Sequence, residues 1–460
     1  MNRKWIQARQ GSALISAAIG AAILGIVAAS LLAMLSNEYN FNFRSRSWNQ
    51  ALHLAEAGVE IGFAEVNNQY YRGGNGVGFQ SSRGWSSSSN VYSKNTSLTN
   101  SAGIVVRDVA ISVMGVGGVN PIVTSISTVN TTPRGPSISR GVRASLYAAS
   151  MFPAGMLAKN SINMNGNNIY VDSYDSTDVT KSTSGLYDAA KRQSNGNIAS
   201  NGSVLNSLSI GNADIYGTVY TGPNGTATLG ANGSVGPTLV NADRATTVAA
   251  AEAKGWIEHD FNVDVADPTL PTGASTWTSP PGSTAGSINK DVNVNTGDYK
   301  VNNISLSSNS HKDTLTIDGN VRIYVTGDVN LSGISQIVIN PGASLQIYVA
   351  GSVSAAGNGI INNSSTPIKN QWYGLNSSTS WSYTGNAQWI GTIYAPSASV
   401  SFKGGGSSGD ASGSVVANNI TLAGQVQFHY DEALRASDTG AGYTVATWQE
   451  LRNVSGTWTP

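Results

Sequence analysis

At 460 residues the chain is too long for one small domain, and its 26 basic and 26 acidic side chains cancel to a formal charge of zero. Charged residues make up only 11% of it, against the usual quarter or so, so no electrostatic partner is implied and no Lys/Arg run supports a nucleic-acid groove. There is no cysteine, which excludes disulfide staples and leaves burial and backbone pairing to hold the fold.

The first element is an uncharged run from Ser12 to Leu35, preceded by a leader carrying Arg3, Lys4 and Arg9. As a helix of about 24 residues it crosses a hydrocarbon core of about 30 Å, and it exceeds the apolar stretch of a secretory signal. The basic leader places the N-terminus in the cytoplasm and the rest of the chain across the membrane. Ala17, Ala18, Gly20, Ala21, Ala22, Gly25, Ala28 and Ala29 suit either close packing against other helices in lipid or a solitary Ala-rich anchor. Beyond it, Trp48, Leu52, Ala55, Val59, Phe63 and Val66 recur at three- and four-residue spacing, with Asn49, His53, Glu56 and Glu60 opposite. This spacing extends the helix to about residue 70, with Gly58 and Gly62 weakening it by roughly 1 kcal/mol each relative to Ala.

The stretch Arg9-Gln-Gly-Ser-Ala-Leu-Ile15, the Ala/Leu/Ile helix behind it, and Ala55-Glu-Ala-Gly58 together resemble the N-terminus of type IV pilins, especially PilX-type minor pilins. The resemblance covers about the first 70 residues. It implies cleavage by a prepilin peptidase between Gly11 and Ser12 and methylation of the new N-terminus, which makes the chain a substrate and not an enzyme. It also implies a membrane location and partnership with other pilin or pseudopilin subunits. Major subunits of that family carry Glu at the fifth mature position, where this chain has Ser16. A buried ammonium left unpaired is costly, so the resemblance points to a minor, priming or tip component.

Residues 71–102 are rich in Gly, Ser and Asn and read as a surface loop. Three runs with strand character follow, Ile104 to Met114, Ile122 to Val129 and Ile138 to Ala148, predicting an antiparallel meander. From about 151 to 435 the texture changes to short Val/Ile-rich strands punctuated by Asn and Gly. The phrase Ile323-Tyr-Val-Thr-Gly-Asp-Val-Asn-Leu-Ser-Gly333 returns as Ile347-Tyr-Val-Ala-Gly-Ser-Val-Ser-Ala-Ala-Gly357, a spacing suited to one coil of a parallel β-helix. Strands stacked about 4.8 Å apart disfavour a repeated charge and favour Asn, Ser and Thr, which fits the low charge. A hairpin-built β-sandwich is the competing architecture. Residues 241–300 interrupt the pattern with a short helix near Thr246 and a Pro-rich linker, and 436–460 read as a C-terminal tail. The predicted fold class is therefore an α+β pilin-like part, with a long helix and an antiparallel meander, followed by an all-β parallel β-helix.

The chemistry-bearing residues are sparse. Asp318, Arg322 and Asp328 are the nearest approach to a polysaccharide-cleaving set, yet the repeat aligns Asp328 with Ser352. His429-Tyr-Asp-Glu432 stands where the last strand needs covering. The ending Phe428 to Leu434, after Gly391-Thr-Ile-Tyr-Ala-Pro, resembles uncharacterised extracytoplasmic domains that accompany PilX-like anchors, with no activity implied. Asp172, Asp175 and Asp178 are too widely spaced for an EF-hand and read as turn formers, with a Ca²⁺ site as the weaker alternative. His53, His259 and His311 show no zinc spacing, so no metal and no cofactor is predicted. Trp372, Tyr373, Trp381, Tyr383 and Trp389 cluster in one segment; core packing and loop anchoring are the more common explanation of such rings, with a platform for a carbohydrate or surface ligand as the alternative. The combined expectation is a non-enzymatic inner-membrane minor pilin or pseudopilin-like subunit with extracytoplasmic domains. The alternative is a membrane-tethered β-helix enzyme acting on polysaccharide.

Overall fold

A computed structural model describes residues 4–70, 78–89, 91–99, 105–116, 120–130, 136–148, 150–166, 168–356, 359–385, 388–404, 410–435, 442–454 and 456–459, with side chains from Ala13 onward. The chain divides into two units, Met1–Tyr147 with Tyr443–Pro460, and Ala148–Gly442.

In the first unit one helix, Lys4–Tyr70, is followed by strands Ser86–Ser88, Val91–Thr99, Val105–Met114, Ile122–Val129 and Ile138–Ala148, paired antiparallel in chain order. Two further strands, Tyr443–Val454 and Thr457–Thr459, complete a seven-stranded sheet. The segment read as a loop thus contains a hairpin. Its Ser and Asn side chains stay largely exposed while its backbone pairs, a combination that composition alone does not distinguish from a loop. The C-terminal segment read as a tail is a strand whose Glu450 pairs with the buried Arg140.

Helix and sheet meet through small residues. Strand Ile122–Val129 alternates strictly, burying Val123, Ser125, Ser127 and Val129. Against it lie Ala51, Ala55, Gly58, Val59, Gly62 and Val66, all buried, and Ser127 Oγ donates to the Ala51 carbonyl. The bulkier Trp48, Leu52 and Phe63 of the predicted stripe sit at its margin, Trp48 being 52% exposed. A Cβ on Gly58 would run into Ser125 Oγ and come within 2.9 Å of Val109 Cγ1, and one on Gly62 would approach Val123 Cγ1 to 2.5 Å. These glycines exchange helix propensity for close approach. Gly58→Leu is expected to overpack the contact and destabilise this unit by about 1–3 kcal/mol, read as faster amide exchange in strand Ile122–Val129. A substitution at the exposed Glu60 leaves that exchange unchanged.

The expected fold class is corrected in the second part of the chain. The protein is mostly β, 47% strand, with one long N-terminal helix, and its strands form an antiparallel sheet and a large mixed sheet instead of a clear parallel β-helix. The second unit's sheet has 22 strands. Antiparallel bridges at Ser173–Gln193, Thr183–Leu186, Val235–Ala245 and Thr284–Ser287 stand among its parallel ladders. Neither does the strand order climb with the sequence. Met156–Asn165 pairs on one side with Ile198–Ser200 and Leu208–Gly211, and on the other with Asp410–Gly424 from the end of the unit. The sequence repeat supplied the parallel register, with Ile323 opposite Ile347, but carried no information about where the first strands insert.

Inward positions recur in register from strand to strand. Ile323, Ile347, Trp372, Ile393, Val415, Met156, Ile198, Val219 and Ile257 form a continuous row, each opposite the next. All are buried in one hydrophobic cluster. After Ile257–Glu258 the chain runs without named strands to Val292–Val301, passing only a 3-10 turn at Ala274–Thr276. The short helix Val248–Ala253 is N-capped by Thr247, whose side chain accepts from Ala250 N.

Candidate functional site

The helix provides the first functional feature. Among the described residues it is the one helix long and apolar enough to cross a membrane. Leu14, Leu24, Ile26 and Leu32 are 74%, 71%, 67% and 68% exposed, so this apolar surface has no cover within the protein and is a candidate membrane anchor. Gly11 and Ser12, the predicted processing position, lie outside the residues whose side chains are described.

Of the two readings of the aromatic segment, burial favours core packing over an exposed platform. Trp372, Tyr373, Trp381, Tyr383 and Trp389 are all buried. Trp372 lies in the inward row between Ile347 and Ile393, with the Trp381 and Trp389 rings edge-on at 6.1 Å. The three indole N–H groups are satisfied internally: Trp372 Nε1 donates to Asn370 Oδ1 at 2.8 Å, Trp381 Nε1 to Ser378 Oγ at 2.6 Å and Trp389 Nε1 to the Gly391 carbonyl at 3.3 Å. Large rings fill a row that elsewhere holds Ile and Val, and a cluster in sequence becomes a stack in the core.

The polysaccharide-cleaving set does not assemble. Arg322 makes a bidentate pair with Asp298 on the adjacent strand, with Nε to Oδ1 at 2.7 Å. Asp328 Oδ1 accepts from Ser352 N at 2.7 Å, and Asp318 is exposed. Asp175 and Asp178 close local turns by accepting from Thr177 and Thr180. His259 bonds Thr221 and Glu252. His311 sits 2.9 Å from Asp291, which raises the imidazole pKa, with Asp313 beside it at the surface.

Asp172 behaves differently, because the end of the unit comes back to it. Strand Gln427–Asp431 pairs parallel with Tyr170–Tyr174 and sets His429 opposite Asp172. Both side chains have no exposed surface, and His429 Nδ1 lies 2.6 Å from Asp172 Oδ1. Tyr187 donates to Asp172 Oδ2 at 2.7 Å and stacks on the His429 ring with centroids 3.4 Å apart. Burial, reinforced by the Asp172 charge, holds the Tyr187 phenol far above its usual range. His429 Nε2 has no hydrogen-bond partner among the described residues. The next two residues fasten the same segment. Asp431 accepts from Ser176 N, Ser176 Oγ and Ala433 N, although burial raises its carboxyl pKa. Glu432 accepts from Ser173 Oγ and Asn195 Nδ2. The arrangement locks the unit's last strand onto Tyr170–Tyr174, its second. Asp172 and His429 are 257 positions apart, so spacing in the sequence gave no signal of their contact.

With this geometry in view, similarity to known proteins adds little chemistry. A family model described as a domain of unknown function, DUF7305, matches residues 274–437. That stretch contains His429 and the buried tryptophans and excludes Asp172 and Tyr187. No curated protein matches. The crystal structure of the competence-associated pilin ComZ from Thermus thermophilus aligns with 12% identity and a TM-score of 0.25, over 87% of this chain and 96% of that one. An overlap of that score carries no weight for the fold or role of this chain.

Proposed function

We propose that this chain is a low-copy, membrane-inserted subunit of a type IV pilus or related filament, processed by a prepilin peptidase between Gly11 and Ser12. The observation that carries the reading is the division of one helix into two environments. Its first half is apolar and uncovered, and its second half lies on an antiparallel sheet through Ala51, Ala55, Gly58 and Gly62. Such a helix inserts in lipid and then packs against copies or relatives of itself, with the small residues Gly20, Ala21 and Gly25 allowing close approach. Ser16 in place of a carboxylate favours a priming or tip position over the bulk of a filament. The chain acts in this reading as a structural and ligand-contacting subunit without catalysis of its own.

Mass spectrometry of the protein purified from its native membrane tests this directly. The expected mature chain begins at N-methylated Ser12. An intact Met1 removes filament assembly and leaves a simple tether.

A further inference from the structure

A polar groove lies on the second unit beside the lock. Gln427, Tyr170, Asp214 and Ser234 stand in one row, each opposite the next on parallel strands. Two residues before each of these positions, ahead of the strand, the chain carries an amide: Gln425, Asn168, Asn212 and Asn232. Between the rows Val426, Ile169 and Ala213 are buried, while Tyr170, Asp214 and Gln427 stay partly exposed. The four amides are exposed. Asn168, Tyr170, Asn212, Asp214, Asn232 and Gln427 line a groove of about 570 Å³.

Its chemistry is specific. The Asn168 and Asn232 side chains make no hydrogen bond among the described residues, so planar amides, each a donor and an acceptor, face the groove. Asp214 Oδ1 accepts from Ser234 Oγ and pairs with Arg244 at 3.2 Å, which cancels its charge, and no Lys or Arg lines the groove. Tyr170 donates to Gln427 Oε1 at 2.6 Å and leaves its half-buried ring as the apolar wall. A phosphate-bearing or strongly charged ligand finds no counter-charge here. Vicinal hydroxyls match paired amides, and the C–H face of a sugar matches a tyrosine ring.

We infer that this groove binds a linear neutral oligosaccharide lying across the strands. The inference is independent of the filament reading. Four strands at about 4.8 Å spacing give the rows a span of about 14 Å, so affinity rises with chain length until the glycan covers that span and then levels off.

The test uses the full-length chain in detergent and calorimetry with linear oligosaccharides of glucose, galactose and N-acetylglucosamine, with oligogalacturonate as the charged counterpart. Binding of at least one neutral series is expected, weakened about tenfold or more in the Asn168→Gly/Asn232→Ala variant. Glycine keeps the positive φ of 58° at position 168, so the melting temperature should hold. Should it fall, Asn232→Ala alone serves, with the same loss expected. Absence of neutral-glycan binding, preference for the charged series, or affinity unmoved by the variants would overturn the inference and leave the amide rows as corner-stabilising ladders only.

Discussion

Replacing Asp172 with alanine is expected to cost the second unit about 3–5 kcal/mol, the range for removing one partner of a buried pair. The loss has two sources. Tyr187 loses the oxygen its hydroxyl donates to, and His429, with no exposed surface and Nε2 already without a partner, loses its one close acceptor. Water cannot replace either without opening the strand pair. Hydrogen exchange should accelerate together in Tyr170–Tyr174 and Gln427–Asp431, because each strand is the other's hydrogen-bonding neighbour. The triple variant Asp172→Leu/His429→Leu/Tyr187→Phe, which removes the donor on Tyr187 along with the pair, should recover most of the stability, since apolar residues often replace a buried pair at little cost. A single variant within about 0.5 kcal/mol of the parent would mean the lock contributes no more than an ordinary surface position.

Trp372→Ala should cost a similar amount, about 3–5 kcal/mol. The indole fills one position of the inward row, so its removal opens a cavity between Ile347 and Ile393 and loosens the packing of Trp381 and Trp389. It also strips the buried Asn370 Oδ1 of its donor, which adds an unsatisfied acceptor to the cavity. Trp372→Phe, retaining a ring without the donor, should fall between the parent and alanine. Calorimetric unfolding separates the outcomes: a surface aromatic platform would tolerate the alanine with hardly any change in stability.

How much of this was legible in the sequence depends on the range of the interaction. The helix was, because its uncharged run and three- and four-residue spacing are local; what sequence missed was that small residues, not Trp48 or Phe63, make the closest contact with the sheet. The register of the repeat was legible too, because Ile323 and Ile347 carry the same phrase. The aromatic segment stayed open between core and surface because alternation tells which residues share a face but not which face is covered. The Asp172, Tyr187 and His429 cluster and the groove beside it were invisible for one reason: both depend on the pairing of Gln427–Asp431 with Tyr170–Tyr174, and nothing local encodes that pairing.

That pairing also sets an order of events for the newly made chain. Strands from Val292 onward can add to one another across about two dozen residues, as Arg322 does to Asp298 at a separation of 24. Closing Asp172 to His429 spans 257, and on loop-length grounds costs about 2 kcal/mol more in chain entropy. Until Asp410–Gly424 has emerged the strand Met156–Asn165 keeps a bare edge, and until Asp431 has emerged so does Tyr170–Tyr174, each able to recruit any strand that passes. Synthesis runs from the N-terminus, so the chain presents these edges early and makes the segments that seal them last, and it needs protection from stray strand pairing until its final strands have been made.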